Sequence, residues 1–188
     1  MHEVKRAIIM AAGIVPCIVL HFGILERYLD NTIATRTNEV QTQVKIIADH
    51  LITYNYMLDS SSEVVNAELS QLSNLYDGRV LIVNSGLKII KDTYAVSEGK
   101  IIISEAIIKC LKGEGASDSL KDAGYIEIVV PIEEKFEGKS HVLGAMLTSV
   151  STDSIRNGYE YIQSRAFLLE LLSMVVIFGI ALLLSRKM

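Results

Sequence analysis

The sequence lacks the residue patterns that build most reactive centres. Its histidines have neither the spacing of a metal site nor the context of a phosphoacceptor helix: His2, His21, His50 and His141. No phosphate-binding loop, dinucleotide-binding glycine motif or G-x-S-x-G elbow occurs. We therefore expect no enzyme activity, no resident metal and no cofactor in these 188 residues.

Cysteine is scarce as well, with Cys17 in an apolar run and Cys110 alone in the more polar middle of the chain. No disulfide between them is expected, so a hydrophobic core must hold the middle together. We expect Cys110 to be a buried small hydrophobe, with a redox sensor as the alternative. The chain has no N-x-[ST] sequon, which favours a bacterial over a eukaryotic exported domain.

Two stretches lack charge almost completely. Residues 7–25 contain no Asp, Glu, Lys or Arg, and residues 167–184 contain only Glu170. A helix needs about 20 apolar residues to cross the roughly 30 Å hydrocarbon core of a bilayer. A cleaved signal peptide is the main alternative for the first stretch, but its apolar part is long for one and no A-x-A site follows it. The pattern predicts two transmembrane helices.

Basic residues predict the orientation of these helices. Lys5 and Arg6 precede the first stretch, and Arg186 and Lys187 follow the second, so both ends are expected in the cytoplasm of a bacterial cell. The middle carries more acidic than basic residues, which argues against nucleic acid as a partner. The predicted division is 1–6 cytoplasmic, 7–25 transmembrane, 26–166 extracytoplasmic, 167–184 transmembrane and 185–188 cytoplasmic.

A long helix is predicted directly after the first membrane stretch. Between residues 28 and 58 there is no Gly or Pro, and apolar residues recur in steps typical of a helical stripe. The stripe consists of Ile33, Val40, Val44, Ile47, Leu51, Tyr54 and Leu58. It packs either on the chain's own sheet or against a second copy. We expect self-packing for the distal half and a looser homodimer contact nearer the membrane, around Thr37.

The pattern then changes from helix to strand. A second helix, capped by Ser62, is expected to run to about Leu75. Residues 79–90 predict a hairpin whose first strand is buried on both faces and whose turn places Gly86 at positive φ. The rest predicts a short helix (104–111), a strand (125–132), a charged turn (133–140), a strand (142–152) and a last helix capped by Asp153. This order indicates an α+β domain, with an antiparallel sheet and flanking helices, inserted between two transmembrane helices.

One part of the chain resembles a known family. Residues 77–93 (DGRVLIVNSGLKIIKDT) resemble the first hairpin of extracytoplasmic PAS-like (Cache-type) sensor domains in bacterial transmembrane histidine kinases, similar to the phosphate and cell-wall sensor kinases of Gram-positive bacteria. The similarity continues through a short helix ending at 113–114, a strand closing on Val-Pro-Ile at 130–132, and a last strand before a membrane helix. The turn often carries Asp where this chain has Asn84, a mild departure because Asn also tolerates turn geometry.

The resemblance implies the sensing and transmembrane signalling module of a two-component sensor histidine kinase. In such proteins the second membrane helix leads into a HAMP linker and a kinase core, neither of which occurs before Met188. The alternatives are the input module of a chemoreceptor or of a cyclic-dinucleotide enzyme, and a membrane-anchored interaction protein of the envelope. The reading frame after Met188 would discriminate among them. The expected partners are the lipid bilayer, a second copy and a small-molecule or protein ligand outside.

A few side chains are candidates for functional roles. Tyr94 and Tyr125 lie where the resemblance implies a ligand pocket, between the sheet and the short helix, with core packing as the alternative. His21 and Glu170 lie at matching depth, about 6 Å inside the outer ends of the two predicted membrane helices. Because ionisable groups at depth usually face partners, we hypothesise a hydrogen bond that couples these helices. Snorkelling of both side chains to the interface is the alternative.

Acidic residues also gather around the second predicted hairpin. They are Glu127, Glu133, Glu134 and Glu137. They would suit a divalent cation or a cationic peptide, but a solvated hairpin tip explains them without any ligand.

Overall fold

The computed structural model describes residues 11, 15, 23, 25–114, 117–118, 124–136 and 138–187. The helices are α1 (Leu25–Thr53), α2 (Glu63–Leu75), α3 (Glu105–Leu111) and α4 (Asp153–Lys187). The strands are β1 (Gly78–Asn84), β2 (Ile89–Asp92), β3 (Ser117–Asp118), β4 (Tyr125–Phe136) and β5 (Lys139–Ser151). Contacts divide the chain into a unit Thr35–Asp153, which holds the sheet, and a unit of residues 1–34 and 154–188.

The sheet is antiparallel throughout, in the order β2-β1-β5-β4-β3. β5 therefore lies at its centre, paired with β1 on one side and with β4 on the other. Along the chain, α1 and α2 precede the strands, the short α3 lies between β2 and β3, and α4 follows β5. Antiparallel strands with most of the helices grouped before and after them are the arrangement of an α+β domain. The predicted fold class is confirmed. The insertion of this domain between two membrane helices stays a prediction.

β1 is buried on both faces, as its unbroken apolar sequence predicts. Val80 and Ile82 point to one face and Leu81 and Val83 to the other, and all four are at most 5% exposed. α3 covers the second face, where Ile107 joins a cluster of buried side chains. The other members of this cluster, besides the two β1 residues, are Ile89, Cys110, Val129, Ala145 and Leu147.

The apolar stripe of α1 packs within the chain over most of its distal half, as predicted. The buried residues of this part are Val40, Val44, Ile47 and Leu51. The helix ends at Thr53, earlier than expected, because Asn55 takes a left-handed conformation with φ at 51°. Tyr54 and Leu58 therefore leave the stripe and are 46% and 91% exposed, so their predicted burial is wrong.

Side-chain contacts join α1 to α2. The Nδ1 atom of His50 lies 2.8 Å from an Oε2 of Glu68, and the Arg36 guanidinium lies 5.2 Å from the centre of the Tyr76 ring. Arg36, in the first half of α1, contacts Tyr76 just after the end of α2, whereas His50, near the end of α1, contacts Glu68 in the middle of α2. The two helices therefore run antiparallel. α2 begins and ends where the sequence predicts, although Ser62 makes no side-chain capping hydrogen bond.

The turn between β1 and β2 is shaped by asparagine rather than by glycine. The Oδ1 atom of Asn84 accepts hydrogen bonds from the backbone N–H groups of Gly86 and Lys88, each at 3.0 Å. The residue at positive φ is Leu87, at 62°, and the predicted role of Gly86 is therefore wrong. A local side-chain acceptor fixes this turn, which relaxes the need for glycine at the left-handed position.

The acidic segment expected as a turn is mostly strand. β4 continues to Phe136 and pairs with β5, with Glu134 opposite His141 and Lys135 opposite Ser140. The chain reverses beside Gly138, whose φ is 78°. This end of the hairpin is largely exposed, so polar side chains are favourable there. The amino-acid composition of the segment is therefore similar to that of a loop.

α4 begins at Asp153, as predicted, and contains the whole second apolar stretch, residues 167–184. Within the described part of the chain, Asp153–Ile180 is the one helix long and apolar enough to cross a membrane, and none of its most apolar window is buried in the chain. The first predicted span, residues 7–25, lies largely outside the described residues, so the two-pass topology stays a prediction.

Candidate functional site

A buried ion pair joins the ends of the first two strands. The pairing of Leu81 with Asp92 places Arg79, near the start of β1, beside the last residue of β2. Arg79 Nε donates to Asp92 Oδ1 at 2.9 Å, and Arg79 Nη2 donates to Asp92 Oδ2 at 2.6 Å. A planar guanidinium binds a carboxylate most strongly in this two-pronged geometry. The Asp92 side chain has no solvent exposure, whereas that of Arg79 retains 32%.

The same carboxylate organises the loop that follows β2. The backbone N–H of Tyr94 donates to Asp92 Oδ1 at 3.0 Å, and those of Val96 and Ser97 donate to Oδ2 at 3.1 and 2.8 Å. The Arg79 guanidinium, aided by these backbone donors, outweighs the effect of burial and holds the pKa of Asp92 well below its usual range. Asp92 is therefore ionised at neutral pH.

Arg79 reaches the same loop directly. Its Nη2 donates to Ser97 Oγ at 3.1 Å, and its guanidinium carbon lies 5.7 Å from the centre of the Tyr94 ring. A carboxylate that accepts five hydrogen bonds and has no proton to give is unsuited to acid–base catalysis. The Arg79–Asp92 pair instead fixes the loop in one conformation. Sequence patterns do not reveal this pair, although Arg79 begins the predicted hairpin and Asp92 follows it.

The structure does not bring the predicted ligand candidates together. Tyr94 follows β2 and is 53% exposed, whereas Tyr125 begins β4 and pairs with Ser151. β1 and β5 lie between β2 and β4, a separation of about 14 Å at about 4.8 Å per strand. Neither tyrosine lines the cavity of about 200 Å³ between α1 and α2 or the cavity of about 400 Å³ beside the β1–β2 turn. Their part in ligand binding stays a prediction.

The space between α3 and the sheet is filled with apolar side chains. Cys110 belongs to this cluster and is 1% exposed. Burial, with a smaller contribution from Glu133, raises the pKa of its thiol to about 11. A neutral, inaccessible thiol is a poor nucleophile, so Cys110 is the small buried hydrophobe that the sequence predicts, and the redox-sensor alternative is disfavoured.

The described acidic residues of the second hairpin form no metal-ion site. Glu133 accepts a hydrogen bond from the hydroxyl of Ser140, Glu134 is exposed, and Glu137 lies outside the described residues. In the part of the chain that the structure describes, no group of three or more His, Cys, Asp or Glu side chains is placed to hold a metal ion.

The central strand leads into α4 through a single residue. Thr152 is 4% exposed, and its N–H donates to the carbonyl of Gly124, just before β4, at 3.0 Å. The N–H of Ser151 donates to the carbonyl of Asp77, just before β1, at 3.3 Å. The N–H of Asp153 donates to Ser151 Oγ at 3.1 Å. The junction is thus hydrogen-bonded to the chain entering both strands that flank β5.

The predicted intramembrane pair falls partly outside the described residues. Glu170 lies on α4 and is half-buried, and its backbone carbonyl accepts a hydrogen bond from the Ser173 hydroxyl at 2.7 Å. His21 is not among the residues that the structure describes. The proposed coupling between the two side chains therefore stays a prediction.

Comparison with known proteins finds similarity among solved structures. No protein-family model matches the chain, and no curated protein does. Among solved structures, the sensor domain of the histidine kinase DctB from V. cholerae is similar, with a TM-score of 0.42 and 11% sequence identity. The match covers 68% of this chain and 60% of that domain. No residue role is carried over from it.

Proposed function

We propose that this chain is the sensing and transmembrane signalling module of a two-component sensor histidine kinase. In this proposal it acts as a homodimer in the bacterial cell membrane, with residues 26–166 outside. The hairpin at residues 77–93, which resembles those of PAS-like sensor domains, supports the sensing role. The observation that carries the proposal is the junction at Thr152, where the central strand of the sheet passes directly into an apolar helix of membrane-spanning length.

A transmembrane signal needs a connection that does not absorb motion, and in this proposal the junction at Thr152 is that connection. A ligand that binds one arrangement of the sheet more tightly than another shifts the population between them by that difference in affinity. Because Thr152 is buried and hydrogen-bonded, a displacement of β5 would pass to the first turn of α4. The proposal assigns no catalytic step to this chain, and the kinase core would be supplied by a further domain.

The proposal is tested by placing the chain in front of a kinase. The full chain is fused after Lys187 to a HAMP linker and histidine kinase core, and autophosphorylation is measured in membrane vesicles. A Gly-Ser-Gly insertion between Thr152 and Asp153 would make the junction flexible. The matched control is the same insertion next to Gly138, in the exposed tip of the β4–β5 hairpin.

We expect the junction insertion to change kinase output severalfold and the hairpin insertion to leave it at the parent level. Equal outputs from all three proteins would overturn the proposal, because the sheet would then have no influence on α4. That result would favour a membrane-anchored interaction protein of the envelope.

A further inference from the structure

A cavity of about 400 Å³ opens where the end of α1 meets the β1–β2 turn and the β4–β5 hairpin. Its apolar lining comes from both sides: Leu51, Ile52, Met57, Leu58 and Leu143. Leu58, one of these lining residues, is 91% exposed, so its side chain is accessible to a ligand. The cavity is within the size range of small-molecule sites.

The wall of this cavity is held in place by backbone contacts. The N–H of Ser85 donates to the carbonyl of Leu143 at 3.1 Å, which ties the β1–β2 turn to β5. Gly144 lets the Met57 side chain approach β5 closely, because a Cβ at that position would lie 2.6 Å from Met57 Cε. These contacts fix the position of the turn and of Met57 at the cavity wall.

The polar lining has unused hydrogen-bonding capacity. Among the described residues, the side chains of Asn55, Ser85 and Glu134 make no hydrogen bond, and all three line the cavity. Asn84 uses its Oδ1 atom within the β1–β2 turn, so its Nδ2 donor group remains. A ligand that enters between these groups would meet both donors and acceptors beside an apolar wall.

The charge of the lining selects the kind of ligand. Among the described residues that line the cavity, Glu134 is the one ionisable residue, and none is Lys, Arg or His. His141 lies opposite Glu134 in the β4–β5 pairing but is not part of the lining. An anion would meet an unpaired carboxylate there, whereas a cation would gain a charge-assisted hydrogen bond.

We propose that this cavity binds a small amphipathic cation, namely a primary amine carried on a short hydrocarbon body. The ammonium group would donate to the Glu134 carboxylate, and the hydrocarbon would cover Leu58 and Leu143. Binding is a property of the Thr35–Asp153 unit and does not require that the chain signals, so this proposal and the proposed function can fail separately.

The test uses the full chain in phosphatidylcholine nanodiscs at pH 7 and isothermal titration calorimetry, with empty nanodiscs as the blank. The probes are phenethylammonium and 3-phenylpropanoate, which share a phenyl body and differ in the sign of their charge. We expect phenethylammonium to bind and 3-phenylpropanoate not to bind. Equal heats from the two probes after subtraction of the blank would overturn the proposal.

Two pairs of variants locate the binding. Glu134→Gln should weaken phenethylammonium binding severalfold, because it removes the charge from a hydrogen bond at an exposed position. Glu133→Gln makes the same chemical change one residue away, outside the lining, and should bind as the parent does. Unchanged affinity in the first variant, or an equal loss in both, would contradict the assignment of the site.

The second pair tests the apolar wall. Leu58→Ser should reduce the affinity severalfold, whereas Leu75→Ser, at a leucine that is 65% exposed and lies outside this cavity, should leave it unchanged. Both side chains are exposed, so neither change should disturb folding, which circular dichroism would verify. Full affinity in Leu58→Ser would show that the probe binds elsewhere.

Discussion

Replacing Asp92 by asparagine tests whether the Arg79–Asp92 pair holds the edge of the sheet. The change removes one interior charge with almost no change in side-chain volume. Five donors converge on the native carboxylate, two from Arg79 and three from the backbone. Asparagine keeps one acceptor oxygen, so at least two of these donors would face an amide NH₂ group.

The size of the effect follows from the geometry. A hydrogen bond to a charged group contributes about 1.5–3 kcal/mol, and breaking a buried ion pair costs about 3–5 kcal/mol. Arg79 retains 32% exposure, so water partly compensates the guanidinium that is left behind and the lower end of this range applies. We expect Asp92→Asn to lower the free energy of unfolding by about 3 kcal/mol and the melting temperature by roughly 10 °C.

The measurement is thermal unfolding of the full chain followed by circular dichroism. Asp49→Asn is the matched control, because it makes the same change at an exposed position on α1 and should alter the free energy of unfolding by less than about 0.5 kcal/mol. A loss below about 1 kcal/mol for Asp92→Asn, or equal losses for both variants, would refute the stabilising role of the pair.

The same pair predicts a dependence on pH. Because the pKa of Asp92 is lowered in the folded state, the unfolded chain takes up this proton first as the pH falls. The contribution is complete above about pH 4, the ordinary value for aspartate, and is lost as the pH falls from there through the lowered folded pKa. Asp92→Asn should lack this part of the acid sensitivity, and parallel stability curves for variant and parent would contradict the assignment.

Three further changes test the core. Thr148→Val should raise the melting temperature by a few degrees, because the buried Thr148 hydroxyl has no hydrogen-bond partner among the described residues; a lower melting temperature would contradict this. Gly144→Ala should destabilise the fold by about 2–3 kcal/mol in urea unfolding, since its Cβ would overlap a carbonyl of β1, whereas Gly158→Ala, with open space around it, should not destabilise. In a Cys17→Ser background, maleimide should label Cys110 only after unfolding, because Cys110 is 1% exposed and the pKa of its thiol is raised to about 11. Rapid labelling of the folded chain would show that the thiol is accessible.

The elements that follow from the sequence are those whose pattern depends on local neighbours. The apolar run of β1 predicts a strand buried on both faces, and the steps of three and four between Val40 and Leu51 predict the buried stripe of α1. Each pattern reflects the period of its own element, so it predicts that element without knowledge of the rest of the fold.

The elements that were mispredicted depend on particular atoms. The end of α1 depends on the left-handed conformation of Asn55, and the β1–β2 turn depends on the Asn84 side chain, so Leu87 takes the conformation expected of glycine. The second hairpin extends through residues 133–136 because those residues pair with β5, although their charges resemble those of a loop.

Predicting the candidate sites would have required the register and the order of the strands. Arg79 and Asp92 meet because β1 and β2 pair with a shift between Ile82 and Val83, which the sequence pattern does not contain. The resemblance places Tyr94 and Tyr125 at a pocket between the sheet and the short helix, yet β1 and β5 separate the strands that these two residues adjoin. Periodicity assigns a residue to an element and a face, whereas strand order decides which residues become neighbours.

Because one residue separates β5 from α4, the direction in which each α4 side chain points depends on the number of residues in the helix. Each residue added to an α-helix turns every later side chain by about 100° and advances it by about 1.5 Å. One insertion in the first turn of α4 would therefore present a different face of the helix to whatever it contacts, whereas an insertion at Gly138 would leave that face unchanged. Seven inserted residues, close to two full turns, would restore the face to within about 20°. Any domain joined to this helix must therefore be placed in the correct helical phase.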